Sequence, residues 1–258
     1  IPTMLAREVR RGVEDYIRTT FPVTSPYFGG MLDGFLQREN GLFRGPFVFL
    51  GLPFSPGQGR WEFFPEVPLG YPPYLHQEKA FARMACPRVK STVIATGTGS
   101  GKTECFLYPI ISKCLELRDS SEPAGISAVI VYPMNALAED QLERIRGLLA
   151  GSGVTFGMYV GKTPEHEREV GGRRLKAGST RADYEAELKK YRDQGRPDVI
   201  HPFEEVCSRE SMRTEGRQPR SLLTNVEQLE LLLTRQVDVE LFDHARLDYI
   251  VFDEAHTF

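Results

Sequence analysis

The fold turns on one stretch, Ser91-Thr92-Val93-Ile94-Ala95-Thr96-Gly97-Thr98-Gly99-Ser100-Gly101-Lys102-Thr103. Its first six residues are β-branched or small and predict a short strand that stops at Thr96. Glycines then alternate with hydroxyl residues, and a helix is predicted from the turn through about Leu117. Strand, glycine turn and helix start, in that order, form the setting in which backbone N–H groups curl around a phosphate. Glycine allows that curl because it adopts left-handed conformations without a Cβ clash. Lys102 would set a point charge on the β and γ phosphates, and Thr103 would offer its hydroxyl to Mg²⁺. The strict generic pattern has glycine where Thr96 stands, so the flanking strand and helix carry much of the reading. A Gly/Ser/Thr-rich turn that happens to hold a lysine is the plainer alternative, and the flanks outweigh it.

Outward from this loop the chain alternates strand and helix. Ala128–Tyr132, Leu222–Thr224 and Tyr249–Phe252 read as buried strands. Asn135 is expected to cap a helix carrying Leu137, Leu142, Ile145 and Leu149, and a second apolar helix holds Leu229, Leu232 and Leu233. Continuous apolar strands between helices predict an α/β fold, with a parallel sheet covered by helices on both faces. The last strand runs into Asp253-Glu254-Ala255-His256. Carboxylates at the carboxyl end of such a strand lie where open α/β sheets bind ligands. Asp253 suits Mg²⁺ held through water, and Glu254 suits a proton acceptor for an attacking water. Alone this acidic pair is a weak signal. With the glycine loop it gives both parts that phosphoryl transfer needs, a phosphate cradle and a metal and water site.

Two flanking zones differ in composition. Residues 1–73 hold 10 of the 18 Pro and 9 of the 16 Phe. They are expected to form an accessory segment with little regular structure beyond a helix capped by Thr3, with Leu5, Val9, Val13 and Tyr16 on one face, and a strand over Phe47–Pro53. Trp61 is expected in the core of that segment. Residues 161–220 hold 14 basic and 12 acidic residues. Mixed signs at that density predict a solvated insertion and not a nucleic-acid patch, with a surface helix over Ala182–Tyr191. His166, His201 and His244 are expected on the surface. Net charge is -3, which excludes a strongly basic arm but leaves room for a local basic groove. No apolar run suits a membrane span and no secretory signal opens the chain, so no membrane partner and a cytoplasmic setting are expected. The four cysteines (Cys86, Cys105, Cys114, Cys207) show no CxxC pair, and are expected to be reduced thiols outside any zinc site. The chain opens on Ile1 and closes at Phe258, and is expected to be an excerpt of a longer protein.

Gly99-Ser100-Gly101-Lys102-Thr103 and Asp253-Glu254-Ala255-His256 together resemble motifs I and II of the DEAD/DEAH-box superfamily-two helicases, in which Thr at the Thr96 position is no departure. Tyr132-Pro133-Met134-Asn135-Ala136-Leu137-Ala138-Glu139-Asp140-Gln141 resembles motif Ia, and Leu223-Thr224-Asn225-Val226-Glu227-Gln228-Leu229 the motif Ib region. Tyr159-Val160-Gly161-Lys162-Thr163-Pro164 resembles an element of some members, and Tyr74-Leu75-His76-Gln77 the Q motif. The wording, with Phe43-Arg44-Gly45-Pro46 and Leu52-Pro53-Phe54, is most similar to the large bacterial helicases of phage-defence islands, Druantia type included, and to related repair helicases with a C-terminal zinc-binding domain.

The resemblance covers residues 74–258 and implies the first RecA-like domain of an ATP-driven nucleic-acid motor, ending at motif II. It implies an ATP site from Gln77, which reads adenine, and from Thr98, Gly99, Ser100, Gly101, Lys102, Thr103 and Glu104. Thr103 and Asp253 would hold Mg²⁺; Lys102, Asp253, Glu254 and His256 would carry catalysis, His256 as a coupling residue. Pro133, Asn135, Gln141, Thr224 and Asn225 would face nucleic acid, DNA more than RNA. A second RecA-like domain would supply arginine fingers, whose loss costs about 10³–10⁵ in rate, so this piece alone is expected to be nearly inactive. A restriction-type duplex DNA translocase would share these motifs. A nucleotide-gated assembly module is the non-motor rival, disfavoured by the intact motif residues. Neither an Asn-Lys-x-Asp guanine motif nor a Leu-Ser-Gly-Gly-Gln transporter signature is present.

Overall fold

The structure, a computed structural model, describes residues 2–38, 41–43, 53–59, 64, 67, 71–85, 89–97, 99–120, 123–195 and 199–257. Two units separate, Ile1–Pro53 and Phe54–Phe258. The first contains α1 (Pro2–Thr20) and α2 (Met31–Leu36). It is more helical than its Pro and Phe content suggested. Thr3 does not precede α1 as a cap but lies inside its first turn, because Pro2 starts the helix where a missing N–H costs nothing. Arg10 pairs with Glu14 one turn on at 2.8 Å, and Arg18 reaches Asp33 of α2 at 2.9 Å. Leu5, Val9, Val13 and Tyr16 are all exposed. The strand expected over Phe47–Pro53 lies outside the described residues except for Pro53, as do Trp61, Thr98, Cys86 and most of Phe43-Arg44-Gly45-Pro46.

The second unit runs α3 (Leu75–Met84), α4 (Lys102–Asp119), β1 (Ala128–Tyr132), α5 (Asn135–Leu149), β2 (Phe156–Tyr159), β3 (Arg173–Arg174), α6 (Arg181–Asp193), β4 (Ile200–His201), β5 (Glu205–Val206), α7 (Arg209–Arg213), β6 (Ser221–Asn225), α8 (Val226–Thr234) and β7 (Tyr249–Phe252). Five strands form one sheet in the order β5-β2-β6-β1-β7, and every pair in it is parallel. Strand β1, between β6 and β7, is buried along its whole length. Its side chains alternate as a pleated strand requires. Ala128, Ile130 and Tyr132 join a core with residues of α3, α4 and α5; Val129 and Val131 join a second core with Met212 of α7, Leu232 of α8 and Leu241. Each Ile or Leu fully buried this way stabilises the fold by about 1.5–3 kcal/mol. Helices therefore cover both faces of a parallel sheet, and the architecture is an α/β, RecA-like P-loop fold.

Four expectations need correction here. Ser91–Thr96 is not a hydrogen-bonded strand. Its burial alternates, with Thr92, Ile94 and Thr96 partly buried and their neighbours exposed, Val93 at 94%. β propensity yields a ladder only beside a neighbouring strand, and among the described residues none pairs with this segment. Asn135 is the first residue of α5, not its cap; Met134 takes that position in extended conformation. The 161–220 segment is no purely solvated insertion. Tyr184 and Tyr191 of α6 pack with Leu175, Ile200 and Ala150 in a small core of their own. Its β5 also completes the edge of the main sheet by pairing with β2. Finally, His201 is buried.

Candidate functional site

The glycine loop owes its shape to two left-handed residues, Gly99 at φ +72° and Gly101 at φ +74°. At Gly101 space is as restrictive as conformation. A Cβ there would stand 2.6 Å from Gln77 Nε2 and 3.0 Å from a Glu104 oxygen. Helix α3 fastens the loop from outside. Gln77 Nε2 donates to the Gly101 carbonyl at 3.0 Å, and His76 Nε2 lies 3.0 Å from the Ser100 carbonyl. Gln77 Oε1 accepts from the Tyr74 N–H at 2.9 Å, so the buried Gln77 amide spends both its groups on the protein. The Thr96 and Ser100 hydroxyls are 2.5 Å apart. This contact gives Thr96 a role that glycine could not fill.

The loop opens into a cavity of about 540 Å³ that also takes in Tyr71, Tyr74, Arg144, Asp253 and Glu254. The sheet supplies the acidic side of it. Parallel pairing of β7 with β1 extends to the Asp253 N–H, which donates to the Val131 carbonyl at 3.0 Å. Asp253 Oδ1 accepts the Glu254 N–H at 3.0 Å. Burial pushes the Asp253 carboxyl above its ordinary value, the Glu254 N–H opposes that shift, and the Glu254 charge adds to it. Glu254 has φ +50°, which is unusual for a non-glycine residue and marks local backbone strain. Its carboxylate lies 3.6 Å from Lys102 Nζ and 3.4 Å from His256 Nδ1. Lys102 and Glu254 are both partly exposed, so this long contact leaves each free to meet a ligand. Thr103 and Asp253 line the same cavity and offer a hydroxyl and a carboxylate, the hard oxygen donors that Mg²⁺ prefers. Buried Glu104 pairs with Arg144 of α5. Arg144 faces the cavity beside Tyr71 without having been expected there, since it belongs to no quoted motif.

The expected nucleic-acid residues separate into two sets. Asn225 ends β6 and caps α8 by accepting the Gln228 N–H at 2.7 Å; its Nδ2 donates to Asn135 Oδ1 at 2.7 Å. Those two side chains therefore sit together where β1 and β6 end. Pro133 is beside them in sequence, and Gln141 lies further along α5, 3.3 Å from Asp140. Thr224 departs from the expectation: it is fully buried, and its hydroxyl donates to the Tyr159 carbonyl at 2.7 Å. A β-strand turns alternate side chains to opposite faces, so Thr224 and Asn225 cannot both face out.

Residues 74–177 match the DEAD/DEAH box helicase family. The Druantia protein DruE of Escherichia coli (strain UMEA 4076-1) is 45% identical over 109 residues, 36% of this chain and 6% of that protein. The ATP-dependent RNA helicase rok1 of Aspergillus oryzae (strain ATCC 42149 / RIB 40) is 33% identical over 107 residues, 40% of this chain and 15% of that protein. The chain thus spans a small part of the length of these relatives. A solved structure, the crystal structure of DUF1998 helicase MrfA bound to DNA and AMPPNP, aligns with 71% of this chain and 19% of its own at 23% identity and a TM-score of 0.42. Among the described residues no helix is long and apolar enough to cross a membrane.

Proposed function

We propose that residues 74–258, which match the DEAD/DEAH box helicase family over 74–177 and are similar to the Druantia-type phage-defence helicases, are the first RecA-like ATPase domain of a superfamily-two nucleic-acid motor. The observation that carries this reading is the meeting of Lys102 with Asp253 and Glu254 at one cavity, across a long span of sequence. Loop N–H groups from Gly99 to Thr103 receive the phosphates, and Lys102 neutralises the charge that grows there. Thr103 and, through water, Asp253 would hold Mg²⁺, which when bound would stabilise charge on the phosphoryl oxygens. Glu254 orients the attacking water and takes its proton. His256, 3.4 Å from Glu254, links that carboxylate to the nucleic-acid side. Gln77 acts by holding the loop through Gly101, with the Tyr74 edge left for the base.

Pro133, Asn135, Gln141 and Asn225 contact the sugar-phosphate backbone of a single strand, DNA in preference to RNA. Thr224 only positions them. Contacts of this kind need no net positive charge over the whole domain. A second RecA-like domain in the same polypeptide provides the arginine fingers, and the whole protein serves phage defence or repair. The test is Mg·ATP binding and phosphate release with Lys102→Ala and Glu254→Gln, measured on the full-length protein with and without single-stranded DNA or RNA. Lys102→Ala should lose both binding and turnover, and Glu254→Gln should keep binding and lose turnover. An unchanged rate in Glu254→Gln removes that residue from the role. A triplex-displacement assay beside a strand-separation assay distinguishes unwinding from duplex translocation.

A further inference from the structure

Away from the nucleotide cavity, three metal-type donors converge among the described residues: His201 of β4, Glu205 of β5 and Cys207 just beyond β5. All three are buried. His201 Nδ1 is 2.9 Å from Glu205 Oε2 and 3.5 Å from Cys207 Sγ. A tetrahedral centre with bonds of about 2.0 Å to nitrogen and about 2.3 Å to sulfur has a nitrogen–sulfur edge of roughly 3.5 Å. The other ring nitrogen, Nε2, faces the Gly171 carbonyl at 2.9 Å. A carbonyl only accepts, so Nε2 carries the hydrogen. In the neutral ring Nδ1 then presents a lone pair to a carboxylate oxygen that also only accepts. Two acceptors at 2.9 Å require something positive between them. An imidazole bound to metal through one nitrogen, with its distal N–H donated to a carbonyl, has this arrangement.

We propose that His201, Glu205 and Cys207 bind one divalent cation of the zinc type, with its fourth position open to the adjoining cavity of about 390 Å³. The thiolate favours a borderline-soft ion and disfavours Mg²⁺ and Ca²⁺, which separates this site chemically from the nucleotide corner. Arg146 of α5 holds Glu205 by two hydrogen bonds of 2.7 Å, one to each oxygen. A carboxylate has about four lone-pair sites, so this clamp orients Glu205 and still leaves Oε2 able to bind metal. The ion would lock β4 and β5 to each other and, through Arg146, to α5.

Cobalt tests this on the unsubstituted protein. Metal-free chain titrated with Co²⁺ should take up one equivalent and show thiolate-to-cobalt charge-transfer absorption with tetrahedral ligand-field bands. Cys207→Ser should lose the charge-transfer absorption, and both Cys207→Ser and His201→Gln should weaken Zn²⁺ binding by about 10-fold or more. Wild-type protein that is folded by circular dichroism yet shows no such absorption overturns the proposal, and a proton then bridges His201 and Glu205. Charge-transfer absorption that persists in Cys207→Ser also overturns it.

Discussion

Two corners of this molecule bring acidic and basic side chains together, and they do it in opposite ways. In the nucleotide corner Lys102 and Glu254 stand 3.6 Å apart, both partly exposed, on a loop of left-handed glycines and a strained Glu254. In the other corner Arg146 of α5 grips buried Glu205 of the insertion through two bonds of 2.7 Å, and His201 faces its other side. Burial works against the charged form of Glu205, but the hydrogen bonds and charge of Arg146 hold its carboxyl below the usual carboxylate range. Burying charge is tolerable only when every partner is present, so the second corner works as a fastening. A corner whose charges are long-paired and half solvated loses little by releasing them to a ligand. The proposed nucleotide chemistry therefore rests on the looser pair, although the tighter one is the more conspicuous ion pair.

Substitutions separate the two corners, and the largest effect should fall on rate. Glu254→Gln should slow phosphate release by about 10²–10⁴-fold, the usual contribution of a positioned base, with the urea midpoint unchanged. A stability loss with normal turnover would reverse the contrast. Next, Arg146→Ala strands a buried carboxylate and should cost about 3–5 kcal/mol in chemical denaturation, while nucleotide affinity stays as it was in whatever fraction remains folded. Tyr159→Phe is a smaller probe, at the end of β2 next to the insertion. It removes a 2.5 Å hydrogen bond to buried Asp238, which Arg213 also contacts, and should cost about 1–3 kcal/mol. Smallest is the cap of α6, where Thr180 accepts the Asp183 N–H; Thr180→Ala should cost about 1 kcal/mol, read as faster amide exchange in that helix. Hydrogen bonds from the Thr180 backbone and hydroxyl hold the Asp183 carboxyl below its ordinary 3.8. That contribution is complete above the unfolded value and fades as pH falls through the lower folded one, so the protection of α6 relative to intrinsic amide exchange should fall only as the carboxylate is protonated.

Where side-chain period and burial coincide, the sequence was readable. Ala128–Tyr132 and Tyr249–Phe252 are strands over the very residues whose apolar run predicted them. The P-loop and the acidic strand end were legible as words, and the fold brings both to one cavity. The strand before the loop was misread because its propensity is local while its ladder depends on a neighbour. The insertion was misread for a related reason: counting charges registers the exposed faces of α6 but not Tyr184 and Tyr191 between them. His201 and Glu205 sit four residues apart with Cys207 two further on. That spacing is not a familiar ligand motif, and only the pairing of short parallel strands makes the three converge. Arg144 carried no signal of its own. Its one hint was position, three residues past Gln141 on a helix whose first turn already faced the proposed nucleic-acid side.

Helix α5 has a mechanical consequence. It is a rod of 15 residues, about 22 Å long. Near its far end Arg144 and Arg146 project roughly 200° apart around the axis, one to Glu104 directly behind the phosphate loop and the other to Glu205 of the insertion. At its near end Asn135 meets Asn225. A rod pinned on opposite sides cannot follow one pin without loading the other. A shift of Glu104 when the loop fills would tilt the beam against the insertion as fulcrum and move Asn135 against Asn225 at its tip. The 161–220 segment would then be the bearing against which the two ends of the lever work.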